Sequence, residues 1–154
     1  MKTKVILFTV VVIFLSAVAA SADSPHMGTW KLNEAKSHFN KGASKNNTVV
    51  YEAAGDQIKV TVDGVDGSGG PTHNEWTGKF DGKYYALTGS PTGDKRSYTR
   101  VNSRTLSIRE KKDGKVVLTG TITVATNGKS RTVRATAKNA QGKWTTNTAV
   151  YDKQ

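Results

Sequence analysis

Residues 113–128 read DGKVVLTGTITVATNG. The residues on one side of this segment are apolar or glycine: Val116, Leu118, Gly120, Ile122 and Val124. The opposite side carries Lys115, Val117 and three threonines. Because side chains alternate between the two faces of a β-strand, this pattern predicts a strand with one buried face. The flanking dipeptides Asp-Gly and Asn-Gly tolerate positive φ angles and favour tight hairpin turns.

Similar segments, rich in Val, Ile, Thr, Tyr and Trp and separated by glycine-containing turns, continue in both directions. They are Thr29–Asn33, Thr48–Ala53, Gln57–Asp63, Thr72–Phe80, Lys83–Thr88, Arg96–Val101, Thr105–Lys111, Val116–Ala125, Arg131–Lys138 and Lys143–Tyr151. No gap has room for a crossover helix, and only Asn33–Asn40 offers a short helical turn. The sequence therefore predicts an all-β fold with little helix, an antiparallel up-and-down meander. Closing it into a barrel of about 8–10 strands removes exposed edges. A two-sheet sandwich is the alternative that alternation leaves open.

The N-terminus has the three parts of a secretory signal peptide. Lys2 and Lys4 precede an apolar run from Val5 to Leu15, and small residues follow as far as Ala22. The stretch from Val5 to Ala20, which carries no charged residue, has sixteen residues, which is short of the roughly 20 that span a bilayer. We therefore predict a signal peptide at 1–22 and a single β-barrel domain at 23–154. We expect a secreted or periplasmic protein with no transmembrane segment after cleavage.

Composition and motif spacing remove several classes of site. The chain has no cysteine, which excludes disulfides, thiolate metal sites and a cysteine nucleophile. His73 and Glu75 share a strand face, but a metal site needs three or four ligands. The loop at Asp63–Asp66 has two carboxylates and lacks the spacing of an EF-hand. No hydrolase motif is present, although paired acids of the glycosidase kind stay open. We expect no metal and no cofactor, and a protein that is not an enzyme.

Charge is distributed unevenly along the chain. Residues 95–154 contain fourteen Lys and Arg, including all six arginines, against three acidic residues. In a meander these strands are neighbours, so they form one basic side of the barrel. Solubility and protection of strand edges explain this most simply. Attraction to an acidic polymer or an anionic envelope surface is the second interpretation. Few aromatic residues interrupt the basic segment, which argues against nucleic acid as a partner.

Both ends of the predicted domain resemble a known family. Gly28-Thr29-Trp30 resembles the Gly-x-Trp opening of lipocalins and fatty-acid-binding proteins, and Val150-Tyr151-Asp152-Lys153 is similar to the closing strand of the second group. The whole chain also resembles small exported bacterial proteins of lipocalin-like type. The resemblance implies a barrel that holds a small ligand. It also implies a structural role for Gly28 and Trp30, with Trp30 at the closed end beneath an arginine from a late strand.

Two features depart from the fatty-acid-binding pattern. Residues 31–46 have room for one short helix at most, where that group has a helix-turn-helix lid. The Arg-x-Tyr that grips a carboxylate in the last strand is replaced by Ala149, Val150 and Tyr151. The chain therefore resembles the barrel of that group but lacks the residues with which the group binds a carboxylate.

Strand parity selects the candidate site residues. Arg96, Tyr98 and Arg100 share one face of a strand. Arg104 points inward if Leu106 and Ile108 do; the alternative is an outward bend at the adjacent turn. The candidate ligand-binding residues are Arg96, Tyr98, Arg100, Arg104, Trp76 and Tyr151. The candidate anion-binding face is Arg109, Lys111 and Arg134.

These observations predict an exported, non-enzymatic binding protein that holds a small apolar or amphipathic ligand inside a β-barrel. The alternative is an envelope-associated or polyanion-binding module that uses the basic face of residues 95–154. The barrel interior distinguishes these two functions, because large side chains there would leave no cavity, whereas small polar side chains would leave one.

Overall fold

The computed structural model describes residues 24–139 and 141–154. The expected signal peptide at 1–22 lies outside these residues. The described residues form ten strands and one 3-10 turn, η1. In chain order they are β1 (Gly28–Leu32), η1 (Glu34–Lys36), β2 (Lys45–Ala54), β3 (Gln57–Val65), β4 (Pro71–Gly78), β5 (Tyr85–Thr88), β6 (Lys95–Asn102), β7 (Thr105–Lys112), β8 (Lys115–Val124), β9 (Ser130–Lys138) and β10 (Trp144–Lys153). Among the described residues, no helix is long and apolar enough to cross a bilayer.

The strands form a closed, antiparallel, up-and-down barrel. Each strand pairs with its neighbours in sequence, and β1 closes the ring by pairing with β10, where Trp30 faces Lys153 and Leu32 faces Tyr151. The predicted fold class is confirmed, and the sandwich alternative is wrong because this pairing leaves no open edge. The thinnest part of the wall is β5, which has two paired residues with β4 and two with β6.

The turns follow the sequence signals that predicted them. Asp113 and Gly114 have φ angles of 49° and 76°, so both central residues of the β7–β8 hairpin are left-handed, as a type I′ turn requires. Gly55 and Gly128 also have positive φ, 63° and 71°, at two further hairpins.

The barrel has two distinct ends. We call closed the end that carries the N-terminal segment Ser24–Met27 and the β2–β3 turn, and open the end that carries the β1–β2 and β3–β4 connections. The buried apolar residues occupy the closed end and the middle of the barrel: Trp30, Val49, Tyr51, Ile58, Val60, Val62, Trp76, Leu87, Tyr98, Leu106, Ile108, Ile122, Val124, Ala149 and Tyr151. The open end is built differently.

Candidate ligand site at the open end

The closed end is sealed around Trp30. Its side chain is fully buried, and its Nε1 donates a hydrogen bond to the backbone oxygen of His26 at 2.8 Å. The guanidinium of Arg131, from β9, lies 4.8 Å from the ring of Trp30, 5.0 Å from Tyr51 and 4.9 Å from Tyr151. The family resemblance implied a tryptophan beneath an arginine of a late strand, and these two residues have that arrangement. Three aromatic faces stabilise a cation that burial has removed from water.

His26 completes the seal from the N-terminal segment. Its ring is fully buried, and neither ring nitrogen has a hydrogen-bond partner among the described residues. Burial, with a further contribution from the positive charges of Arg131, Arg100 and Lys153, lowers the pKa of His26 from 6.5 to about 4. The imidazole is therefore neutral in the folded protein near pH 7.

The buried histidine should make the protein less stable in acid. The unfolded chain takes up a proton near pH 6.5, but the folded chain does so only near pH 4. Stability should therefore fall between these pH values, by roughly 2–3 kcal/mol. Urea unfolding at pH 7 and pH 4.5 should show that His26→Phe removes much of this loss, whereas His38→Phe, at an exposed histidine, retains it. An equal loss in all three proteins would contradict the assignment.

An aromatic cluster fills the middle of the barrel. The rings of Trp76 and Tyr98 lie 4.8 Å apart, and Phe80 stacks on Trp76 at 6.5 Å. The indole Nε1 of Trp76 donates a hydrogen bond to the backbone oxygen of Arg96 at 2.9 Å. Trp76, Tyr98 and Tyr151 are each nearly fully buried. Trp76 and Tyr98 form the floor beneath the open end, whereas Tyr151 lies beside Arg131 at the closed end.

Two of the predicted arginines lie outside the interior. Arg100 is exposed near the closed end, with its guanidinium 5.8 Å from the ring of Phe80. Arg104 precedes β7 in the turn and donates a hydrogen bond to Oγ1 of Thr126. The side chain of Arg104 is therefore exposed at the end of the hairpin and does not enter the buried interior.

Arg96 does face the interior, in a buried polar group at the open end. Its Nε and Nη2 lie 2.8 Å and 2.6 Å from Oε1 of Glu110 on β7. Nη2 also donates to Oδ1 of Asn74 on β4, at 3.2 Å. Arg96 and Glu110 are each 5% exposed. The sequence analysis did not select Glu110 or Asn74. Parity alone could have found Glu110, because it shares a face with Leu106 and Ile108.

The walls around this group are lined mainly by small or polar side chains. They lie an even number of residues from buried residues of the same strands, so they face inward, yet they are only half-buried: Thr72, Asn74, Leu118, Gly120, Val133, Ala135, Ala137, Thr145 and Asn147. Gly120 pairs with Ala135, and Leu118 pairs with Ala137. The two small residues let the backbones of β8 and β9 approach closely, since an added Cβ on Gly120 would lie 2.5 Å from the backbone oxygen of Arg134.

A cleft of about 870 Å³ adjoins the open end. It lies between the β1–β2 connection, residues 33–44, and the β3–β4 loop, residues 66–70. Phe39 lines the cleft and packs against the core, and Nζ of Lys45 lies 5.5 Å from its ring. The two loops touch at Gly67, where an added Cβ would lie 2.1 Å from the backbone oxygen of Gly42.

The outer face of β7 to β9 is basic. Arg109 and Arg134 are exposed on either side of β8, opposite Thr119 and Thr121. Lys111 is half-buried, with Nζ 4.1 Å from the ring of Tyr84. Among the described residues, no carboxylate forms an ion pair with these three side chains.

Other polar clusters are accounted for by local contacts. Nδ1 of His73 lies 2.6 Å from Asp63 on the outer surface, and this hydrogen bond raises the pKa of His73. Oδ1 of Asp66 accepts hydrogen bonds from Ser68 and from the backbone of Gly70, which shapes its own loop. Within the described residues, no group of three or more His, Asp and Glu side chains is placed to hold a metal ion.

Comparison with known proteins adds little to this geometry. No protein-family model matches the chain, and no similar protein was found among the curated ones. A similar solved structure is described as EF1p2_mFAP2b bound to DFHBI. The two chains share 12% sequence identity, and the superposition covers 84% of this chain and 94% of the other, with a TM-score of 0.48. The barrel fold described above is established by the chain's own strand pairing.

Proposed function

We propose that this is a binding protein that holds a small apolar or amphipathic molecule in the open end of the barrel. One observation carries the proposal: most inward positions at the open end are small or polar and half-buried, whereas those at the closed end are larger, apolar or aromatic, and sealed. Barrels of this size hold one small ligand when their side chains do not fill the interior.

The open end offers both kinds of contact that such a ligand needs. Leu118, Val133, Ala135 and Ala137 supply apolar surface, and Arg96 with Glu110 supplies a polar group beside it. Apolar walls with a few placed polar groups are typical of small-molecule pockets. The binding step involves no covalent chemistry.

The proposal includes export of the protein. The segment 1–22 supports it through its basic start, its apolar run and its small residues before Ala22. The protein would then act outside the cytoplasm, secreted or in a bacterial periplasm, as the resemblance to lipocalin-like exported proteins implies.

Native mass spectrometry of protein purified from its own host tests binding and export together. We expect a mass that corresponds to a chain starting at Asp23, plus a small molecule that is lost on denaturation. Ala135→Phe, which fills the wall next to Gly120, should abolish the added mass. Thr121→Phe, on the exposed outer face of the neighbouring strand, is the matched control and should retain it. Ligand-free wild-type protein that also takes up no added amphiphile would contradict the proposal.

A second function has support from the exterior. Arg109, Lys111 and Arg134 lie on one outer face without carboxylate partners among the described residues. An acidic polymer or an anionic envelope surface would complement that face. This candidate requires no cavity.

Binding to the basic face should depend steeply on salt. The Debye length is about 8 Å at physiological ionic strength, so exposed charges lose their attraction as salt increases. Arg109→Ser/Arg134→Ser should elute from heparin at clearly lower salt than the wild type. Lys31→Ser/Lys83→Ser removes the same charge from exposed positions elsewhere and should shift elution less. Equal shifts in elution for the two double variants would contradict a binding role of the basic face and would show that only the net charge matters.

A further inference from the structure

The polar group at the open end is unusual for its burial and its charge balance. Arg96 and Glu110 are buried ions in a barrel whose other fully buried side chains are mainly apolar. One guanidinium and one carboxylate make two contacts at 2.8 Å and 2.6 Å, so the pair carries no net charge. Removing either partner of such a buried pair strongly destabilises the fold, because it leaves one buried ion uncompensated.

The pair has hydrogen-bonding capacity left over. Among the described residues, all of the polar contacts of Arg96 use Nε and Nη2, and those of Glu110 use Oε1. Nη1 of Arg96 and Oε2 of Glu110 have no partner there. Unlike Nε and Nη1 of Arg131 at the closed end, these two atoms are not sealed off from solvent. One donor and one acceptor therefore remain accessible beside the half-buried walls.

This combination discriminates between ligand headgroups. An ionised carboxylate would accept from Nη1 of Arg96 but would meet the negative Oε2 of Glu110. An ammonium group would bind Oε2 but would meet the guanidinium. Juxtaposed like charges cost several kcal/mol at a desolvated contact, whereas a neutral group that both donates and accepts satisfies both atoms.

We infer that the ligand's buried polar end is an uncharged group that both donates and accepts hydrogen bonds, such as a hydroxyl or a primary amide. It accepts a hydrogen bond from Nη1 of Arg96 and donates one to Oε2 of Glu110. This inference rests on the proposed function, because it assumes that the open end is the binding site. It agrees with the absence of the Arg-x-Tyr with which fatty-acid-binding proteins grip an ionised carboxylate, since Ala149, Val150 and Tyr151 stand in its place.

Three probes with the same eight-carbon chain test the headgroup. Octanamide, octanoate and octylammonium are titrated into the wild-type protein at pH 7 by calorimetry. We expect octanamide to bind more tightly than either charged probe by at least about tenfold, given the cost of juxtaposed like charges. Ala135→Phe should weaken all three, since it fills the site that they share.

Charge variants test the assignment to this pair. Glu110→Gln keeps an oxygen that can accept from Arg96 but leaves a net positive charge, so the preference should move toward octanoate by at least about tenfold. Arg96→Gln/Glu110→Gln restores zero net charge, and the preference should return toward the amide. This double variant also keeps the test valid if Glu110→Gln folds poorly, because neither side chain is then left as an unpaired ion.

The outcomes separate this inference from the proposed function. If all probes bind equally and Ala135→Phe blocks them, the open end is a binding site but the headgroup inference is wrong. A wild-type preference for octanoate that Glu110→Gln leaves unchanged would also overturn it. If no probe binds, and Ala135→Phe has no effect on the molecule that co-purifies, the proposed function itself fails.

Discussion

Trp30→Ala is expected to lower the free energy of unfolding by about 3–5 kcal/mol, the range for removing a large buried aromatic side chain. The substitution opens a cavity at the closed end, removes the hydrogen bond to the backbone of His26 and takes away one of three rings around Arg131. Urea denaturation measures the loss. The buried guanidinium of Arg131 would also keep only two of the three aromatic rings that stabilise its charge.

The chain contains a matched control for this experiment. Trp144 is 44% exposed, and Nζ of Lys138 lies 5.6 Å from its ring. Trp144→Ala should change stability far less than Trp30→Ala, since nearly half of the residue's surface already faces water. A loss below about 1 kcal/mol for Trp30→Ala would contradict its role as the plug of the closed end.

Breaking the Arg96–Glu110 pair is expected to be as damaging. Arg96→Met leaves a buried carboxylate without a partner, and Glu110→Leu leaves a buried guanidinium; each should cost about 3–5 kcal/mol. The double variant Arg96→Met/Glu110→Leu should recover most of that loss, because no unpaired ion remains. The three proteins and the wild type form a double-mutant cycle, measured by urea unfolding at pH 7.

The exposed pair of Lys79 and Asp56 provides the comparison. Its Nζ and Oδ2 atoms are 2.6 Å apart, as close as the buried pair, but the two side chains are 46% and 76% exposed. Lys79→Met should therefore have a much smaller effect, because water solvates either ion alone. A double variant at Arg96 and Glu110 that loses the sum of the two single changes would show that their contact does not stabilise the fold.

The sequence predicts the barrel well because its signals are local. Alternation in Val116–Ala125 and the Asp113-Gly114 turn each depend on a few neighbouring residues, and the structure has the strand and the left-handed turn in those places. Strand boundaries differ from the predicted ones by up to three residues, with the largest difference at β2, which begins at Lys45 and not at Thr48. Closure is less local, since it requires β1 to meet β10 across the whole chain.

The site is harder to predict, because parity gives the direction of a side chain and not the space around it. Parity places both Arg96 and Tyr98 inward, but only the structure shows that Tyr98 packs under Trp76 while Arg96 meets Glu110 and Asn74. Arg131 is one of fourteen basic residues in its part of the chain. Its burial depends on three rings from β1, β2 and β10, and no local pattern encodes that meeting.

The three tryptophans allow one direct measurement of where a ligand binds. Their indole N–H groups report on the closed end (Trp30), the floor beneath the Arg96–Glu110 pair (Trp76) and the outer surface (Trp144). Nuclear magnetic resonance of the 15N-labelled protein gives a separate indole signal for each. On addition of octanamide, we expect the Trp76 signal to shift and the signals of Trp30 and Trp144 to stay unchanged. A shift of the Trp144 signal alone, or no shift at saturating octanamide, would contradict binding in the open end of the barrel.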